Sequence, residues 1–316
     1  MKFAEDLTDP IKKAWHQFIE RTEPLRPDLY RYCRSLTGSV WDAQDLVQDT
    51  LMRAFARLSE ASHPIDNARA YMFRIASNLW IDKFRGTREF ATADLPEMAQ
   101  PEVPRSREIR DAAERLVSHL PPMERSVVLL KDVFDFTLDE TATALDTTVG
   151  AVKAALHRGR EKLKGASSET KAAPHRPTSP SPGLLDRFVD AFNARDLKRL
   201  TAMMREDATV EVVGMGIEYG RDAIGRENEK GSLYVSIVLT TMNPRAERRE
   251  YLGEPIILSW VTEGGRPVVN DVLRFQEREG MVAGFRYYYF CPETLAEIGK
   301  ALAVPVMTNG YKYDLE

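Results

Sequence analysis

Apolar residues recur at helical spacing in two early stretches of the chain. From Asp42 to Leu58 they are Leu46, Val47, Leu51, Ala54, Phe55 and Leu58, and Asp45, Gln48, Asp49 and Arg53 mark the opposite face, so an amphipathic helix is predicted. From Ala68 to Arg85 the row of Tyr71, Met72, Ile75 and Leu79, with Phe84 beyond, predicts a second helix. Between them Ser59–Asn67 is broken by Pro64 and reads as a loop. A further stripe, Ile109, Ala113, Leu116, Val117 and Leu120, precedes Pro121-Pro122, where proline can open a helix because its missing N–H would be unpaired there anyway. Thr137-Leu138-Asp139-Glu140 has the reciprocal pattern of a capping box and opens a short helix ending near Leu145. Asp146-Thr147-Thr148 makes a turn, Thr148 is a good cap, and a last helix runs from Val149 to Lys164. Helix, short turn and basic helix is the pattern of a helix-turn-helix.

Past residue 184 the periodicity changes. An amphipathic helix over Leu184–Met204 is followed by strand candidates Thr209–Val213, Glu247–Leu252, Ile256–Val261, Val268–Gln276 and Met281–Phe290, with Gly264-Gly265 and Glu279-Gly280 as hairpin turns and a closing helix over Pro292–Ala303. The chain as a whole is expected to be multidomain: two all-α pieces and then an α+β cone with a curved antiparallel sheet. Two composition breaks set the boundaries. The stretch 90–105 is rich in proline and acids, and 165–183 in proline and small polar residues, so neither can bury enough apolar surface to repay ordering. The pieces are therefore 1–89, 106–164 and 184–316.

Composition narrows the function classes. A chain of 316 residues, 43% hydrophobic and 29% charged, suits two or three globular domains. Its longest aliphatic run, Val127–Leu130, is far short of the ~20 residues of a membrane span. The acidic start of the chain does not read as a signal peptide, and two distant cysteines, Cys33 and Cys291, suggest a reduced, cytoplasmic protein without a metal site. The net charge of -4 does not suggest a nucleic-acid partner, but its distribution does. Thr147–Lys164 carries net +4 and Ala68–Glu89 net +3. In a helix-turn-helix the start of the second helix meets base edges, which here means Thr148, Gly150, Ala151, Lys153 and Ala154. His157, Arg158 and Arg160 follow within reach of phosphates, and Lys153 is the candidate for reading a guanine. A helical hairpin with a solvated basic face has the same pattern and stays open at this point.

Three motifs carry a family resemblance. Thr148-Val149-Gly150-Ala151-Val152-Lys153 with Leu156-His157-Arg158-Gly159-Arg160 resembles the minus-thirty-five reading helix of region four in extracytoplasmic-function (ECF) RNA polymerase sigma factors. Asp42–Thr50 with Arg53-Ala54-Phe55 resembles their region two point two, and Ala70–Leu79 with Asp82 and Arg85 their region two point four. The chain departs from the pattern at Asp146 (a turn glycine), Thr147 (an aliphatic residue) and Ala155 (often basic). The resemblance implies a transcription initiation factor, not an enzyme, with no cofactor. Core RNA polymerase would be its partner, through the beta-prime clamp helices and the beta subunit, with Asp45, Leu46, Gln48, Asp49 and Arg53 in the contact. Promoter DNA would be the other partner. At the minus-ten element Arg69, Arg74, Lys83 and Arg85 would hold phosphates and Asn78 a base, beside a Ser59–Asn67 loop that captures a flipped base. Phe73 and Trp80 are candidates for stacking but read more simply as core. The 90–105 linker would thread the polymerase RNA channel or serve as a passive tether.

The last piece resembles the SnoaL-like (nuclear transport factor two-like) domain fused to some ECF sigma factors, on Leu184–Asp196, Leu200, Asp207–Val210 and Gly220–Ile224. Enzymatic members use a His/Asp pair, and all five histidines here precede the domain. Asp207, Glu211, Tyr219, Glu254, Asp271, Arg286 and Tyr288 remain candidates for lining a pocket. The implied role is a built-in regulator that contacts the sigma domains intramolecularly. Two alternatives stand beside it: an independent small-molecule enzyme or ligand-binding module, and a helix-turn-helix regulator that never meets polymerase.

Overall fold

The computed structural model describes residues 5–58, 65, 67–85, 120–165, 180–226, 231–308 and 310. The chain divides into two compact units, Met1–Ala173 and Pro174–Glu316. The expected stripe over 109–119, the 90–105 linker and most of the Ser59–Asn67 loop lie outside the described residues.

The first unit is helical. It opens with α1 (Glu5–Thr22), α2 (Arg26–Thr37), α3 (Val40–Leu58) and α4 (Ala68–Arg85). The first two were not among the expected helices. Helix α1 is held through Trp15 and Phe18, whose rings lie 5.2 and 5.5 Å from Phe55 of α3. Helix α2 ends at Gly38, whose φ of 73° is the left-handed stop that glycine adopts without strain. Helix α4 matches the expected span, and Asn67 starts it by accepting the Ala70 N–H at 2.9 Å. Inside, Tyr32, Cys33, Leu36, Leu51, Phe73 and Ala76 are fully buried. Burial pushes the Tyr32 phenol and the Cys33 thiol well above their ordinary pKa, and the phenol shares a 2.7 Å hydrogen bond with the Ser77 hydroxyl. Leu58, expected on the buried face, is 42% exposed at the end of α3.

Next come α5 (Pro122–Val128), a π-helical turn over Leu129–Val133, α6 (Leu138–Ala144) and α7 (Val149–Gly165). The capping box is present in full: Thr137 Oγ1 accepts the Glu140 N–H at 3.1 Å and Glu140 Oε2 accepts the Thr137 N–H at 2.7 Å. That backbone bond holds the Glu140 carboxyl below the usual carboxylate range. Asp146 takes the left-handed conformation the turn requires, with φ 51°. Gly159 is the close-approach point of α7 on α5, since a Cβ there would sit 2.7 Å from Val128 Cγ2.

The second unit starts with α8 (Pro182–Asn193) and α9 (Leu197–Ala202), not the single helix expected over 184–204. The break has a local cause. Arg195 is left-handed at φ 58°, Asp196 caps α9 by accepting the Arg199 N–H at 2.9 Å, and Asn193 exchanges two hydrogen bonds with the Ala246 backbone. Met204 already belongs to β1 (Met204–Val212), followed by β2 (Gly216–Tyr219), which the alternation did not reveal. Two short helices, α10 (Arg221–Ile224) and α11 (Ser232–Tyr234), lead to β3 (Arg245–Tyr251), β4 (Glu254–Glu263), β5 (Arg266–Arg278), β6 (Met281–Tyr287) and α12 (Pro292–Leu302).

The six strands form one sheet in the order β2-β1-β6-β5-β4-β3. All pairings are antiparallel except β1 with β6, so the sheet is mixed. Leu252-Gly253, Gly264-Gly265 and Glu279-Gly280 each place two consecutive residues at positive φ, the two-residue turn that matches strand twist. Bulges at Ser259/Trp260 and Gln276/Glu277 bend β4, β5 and β6. Leu184, Leu185, Phe188 and Phe192 of α8 fill the bent face against Ile257, Leu273, Phe275 and Phe285. Phe188 stands edge-on to Phe275 at 4.7 Å. A large apolar side chain buried this fully stabilises the fold by ~1.5–3 kcal/mol.

Candidate nucleic-acid interface

Helix α7 presents two different faces. Val152, Ala155, Leu156 and Gly159 are buried against the rest of the helix-turn-helix, so the position where the resembled family often has a base, Ala155, is a core position here. Thr148, Gly150, Ala151, Lys153 and His157 are exposed and Ala154 is half-buried, on the N-terminal half of the helix. Thr148 Oγ1 caps that end by accepting the Ala151 N–H at 3.2 Å. Small residues flank Lys153, so backbone can approach a groove closely while one flexible ammonium reaches beyond it.

Arg158 and Arg160 point elsewhere. Arg158 Nε donates to Glu124 Oε1 at 3.0 Å, and Lys162 reaches the other oxygen of the same buried carboxylate at 2.7 Å. Arg160 makes a two-pronged pair with Asp132 at 3.1 and 2.6 Å, the two side chains being 19% and 16% exposed. A guanidinium used in this way ties α7 to the π-helical turn and has little left to offer a phosphate. Much of the positive charge counted on α7 therefore serves the fold.

On α3, Asp49 and Arg53 are exposed and Asp45 and Gln48 half-buried, giving one continuous polar strip joined by the exposed Met52. Leu46 is a correction. It is 7% exposed and sits with Val47 and Leu51 on the apolar side of the same helical periodicity, so it supports the strip from below and does not belong to the surface.

On α4, Arg74 and Lys83 are exposed and Asn78 is half-buried; Lys83 Nζ lies 3.8 Å from Asp42. Arg85 closes the helix, its side chain lying outside the described residues. Phe73 and Trp80 are buried, as a core role requires. Arg69 is engaged: it donates to Asp28 at 3.3 Å and to the Phe134 carbonyl at 3.4 Å. Sequence reasoning missed Arg125, which donates to the Leu36 and Leu120 carbonyls and lies over the Trp80 ring at 5.7 Å. Burial lowers its pKa to about 10.

In the second unit Glu211, Tyr219 and Arg286 meet at a surface depression of about 270 Å³, floored by a two-pronged Arg286–Glu211 pair at 2.6 and 3.0 Å. The other pocket candidates do not line it, although the Tyr288 ring lies 5.8 Å from the Arg286 guanidinium. Asp207 pairs with Arg205, Glu254 with Arg274, and Tyr288 is buried. Asp271 is buried as well, and desolvation raises its pKa well above the carboxylate range although it accepts the Val272 and Tyr288 N–H groups. Among the described residues no group of His, Cys, Asp and Glu could hold a metal ion, and no helix is long and apolar enough to cross a membrane.

Comparison with known proteins gives two family matches, Sigma-70 region 2 over residues 22–90 and Sigma-70 region 4 over residues 110–163. The ECF RNA polymerase sigma factor SigG of Mycobacterium tuberculosis is 30% identical over 237 residues, covering 65% of this chain and 63% of that protein. This chain thus spans less than two thirds of that relative's length. The RNA polymerase sigma-E factor of Streptomyces coelicolor is 31% identical over 150 residues, covering 47% of this chain and 84% of that protein. Among solved structures, the Mycobacterium tuberculosis extracytoplasmic function sigma factor SigJ matches with a TM-score of 0.33 at 21% identity, covering 85% of this chain and 95% of that one.

Proposed function

The chain belongs to the ECF RNA polymerase sigma factors, and from that premise we propose that it binds core RNA polymerase and directs it to promoter DNA in the cytoplasm. In this reading residues 1–89 form region two, 106–164 form region four, and 184–316 act as a regulator without catalysis of its own, with 90–105 and 165–183 as linkers. The observation that carries it is the exposed first half of α7, where Lys153 stands among small residues on a capped helix. Base reading rests on Thr148, Gly150, Ala151, Lys153 and Ala154, backbone contact on His157 with Arg74 and Lys83, and polymerase contact on Asp45, Gln48, Asp49 and Arg53.

Charge reversal tests the polymerase contact. Asp45→Arg with Asp49→Arg is expected to lower core affinity by ~10-fold or more, since opposed like charges both slow encounter and cost binding energy. The measurement is a titration of the full chain against core polymerase, with circular dichroism as the check on folding. A folded double variant that binds core normally would remove α3 from the interface.

The regulatory role is tested by transcription in vitro. A chain ending at Ala173, the boundary of the first compact unit, is expected to give a different promoter output from the full chain. The proline-rich linker supports this reading. A linker of that composition can extend by ~3.1 Å per residue, which would let the last domain meet the sigma domains at high effective concentration. Identical output across several promoters and core concentrations would leave residues 174–316 as a passenger or a separate ligand binder.

A further inference from the structure

We propose that the cavity between α3, α4 and the turn before α7 is a binding site for a nucleoside monophosphate, with Arg53 and Arg57 on the phosphate and Asn78 on the base. The site stands on the side chains of that cavity, and only its consequence for polymerase rests on the sigma-factor reading above.

The cavity has a volume of about 250 Å³. That is at the small end for ligand pockets, with room for one ring system and a charged group at its mouth. The buried part of its lining is aliphatic, made of Ile75 and Ile81 of α4 and Leu145, and an apolar floor suits the face of a flat ring. Arg53 and Arg57 stand one turn apart on α3, so they present to the same side, and both are exposed. Among the described residues neither has a hydrogen-bond or ion-pair partner. Arg69, Arg125, Arg158 and Arg160, by contrast, are each engaged by a carbonyl or carboxylate of the fold. Two unpaired guanidiniums on one wall form a fork for a phosphate, because their N–H groups match the spacing of its oxygens. Asn78 of α4 is half-buried and also without a partner among the described residues, so an amide donor and an amide acceptor face the cavity. The edge of an adenine satisfies both at once.

The acids of the cavity decide between ligands. Asp82, one turn past Asn78, and Asp146 put carboxylates on the walls that α3 does not supply. They repel an isolated inorganic anion but accept hydroxyl donors such as those of a ribose. A basic wall, an acidic wall and an apolar floor beside a free amide together match phosphate, ribose and base in one molecule. Inorganic phosphate meets only the first of these, and a nucleoside only the others. Occupation would take two side chains out of use together: Asn78, the candidate for a minus-ten base, and Arg53, a candidate for polymerase contact. By linkage, nucleotide and core polymerase should weaken each other's binding by the same factor.

Titration calorimetry of the full chain with AMP, adenosine and inorganic phosphate tests this. AMP is expected to bind, with adenosine and phosphate each ~10-fold weaker or more, since each lacks one set of charge-assisted or paired hydrogen bonds. Arg57→Gln, at an exposed position, should weaken AMP by ~10-fold or more and leave adenosine unchanged. Asn78→Ala should weaken AMP and adenosine alike and leave phosphate unchanged; circular dichroism checks both folds, and Arg57→Gln decides if Asn78→Ala does not fold. No AMP binding at millimolar concentration, phosphate binding as tightly as AMP, or unchanged AMP affinity in folded Arg57→Gln would overturn the site. Saturating AMP should also weaken binding of the full chain to core polymerase by ~3-fold or more and leave Arg57→Gln unaffected. An equal effect on both would place the nucleotide on polymerase and overturn the competition. AMP binding by a chain with no affinity for core would uphold the site and sink the sigma-factor reading instead.

Discussion

Replacing Asp132 with alanine is expected to cost the helical unit about 3 kcal/mol of unfolding free energy, the lower end of the range for stripping a buried ion pair of one partner. The reason is geometric. The π-helical turn over Leu129–Val133 carries Asp132 onto α7, where both its oxygens accept from Arg160. Without the carboxylate, a guanidinium that is 19% exposed loses its counter-charge and cannot recover full hydration. Asp132→Ala with Arg160→Met should regain most of the loss, because the cost lies in the stranded charge more than in the missing pair. Urea unfolding of the full chain and both variants measures this. A single variant within ~0.5 kcal/mol of the parent, the scatter of ordinary surface substitutions, would show that Arg160 is available to DNA after all. The effect on DNA binding should follow the loss of fold, with no change in salt slope for the folded fraction.

Arg160 also marks where sequence reading stops. The backbone of the helix-turn-helix was legible because its signals are local: Thr137 and Glu140 are three residues apart, Thr148 caps Ala151, and Asp146 answers for its own φ. Helical periodicity likewise marked the polar strip of α3, and helix-turn-helix geometry the exposed start of α7. Side-chain destinations were not legible, since they depend on partners far along the chain. Arg160 meets Asp132 28 residues away, Arg69 meets Phe134 65 away and Arg286 meets Glu211 75 away. A charge count on α7 cannot distinguish a phosphate ligand from a strut. Leu46 failed for the opposite reason, a motif assignment set above a periodicity that already placed it inside.

Other misses had signals that went unread. Ile11, Trp15, Phe18 and Ile19 recur at helical spacing, and α1 follows from them. The break between α8 and α9 is written in Asp196, a cap residue type, but the apolar row from Leu184 to Met204 outweighed it. Strand β2 is four residues long with three of them exposed, so it has no alternation to read. It exists because β1 offers it a partner.

Gly284→Ala is expected to destabilise the sheet domain by about 3 kcal/mol, the upper part of the usual cost of overpacking. Gly284 sits on β6 opposite Thr209 of β1, at the one parallel seam of the sheet. A Cβ at this position would lie 2.6 Å from the Thr209 carbonyl oxygen and 2.8 Å from its Oγ1. The first of these is backbone and cannot swing aside, so β1 must move off β6. That displacement reaches the core through Ala208 and Val210, both buried, and reaches the surface depression through the Glu211–Arg286 pair, two residues further along the same seam. Gly216→Ala is the matched control: it lies in the same sheet, on edge strand β2, with no atom within 4 Å of its Cβ position. There the substitution should be neutral or slightly stabilising, because alanine has less backbone freedom to lose on folding. Hydrogen exchange of the β1 and β6 amides under increasing urea reads both variants within the full chain. Equal protection in Gly284→Ala and Gly216→Ala would mean that β1 and β6 do not approach as closely as the seam requires, and the depression at Glu211 and Arg286 would lose its floor.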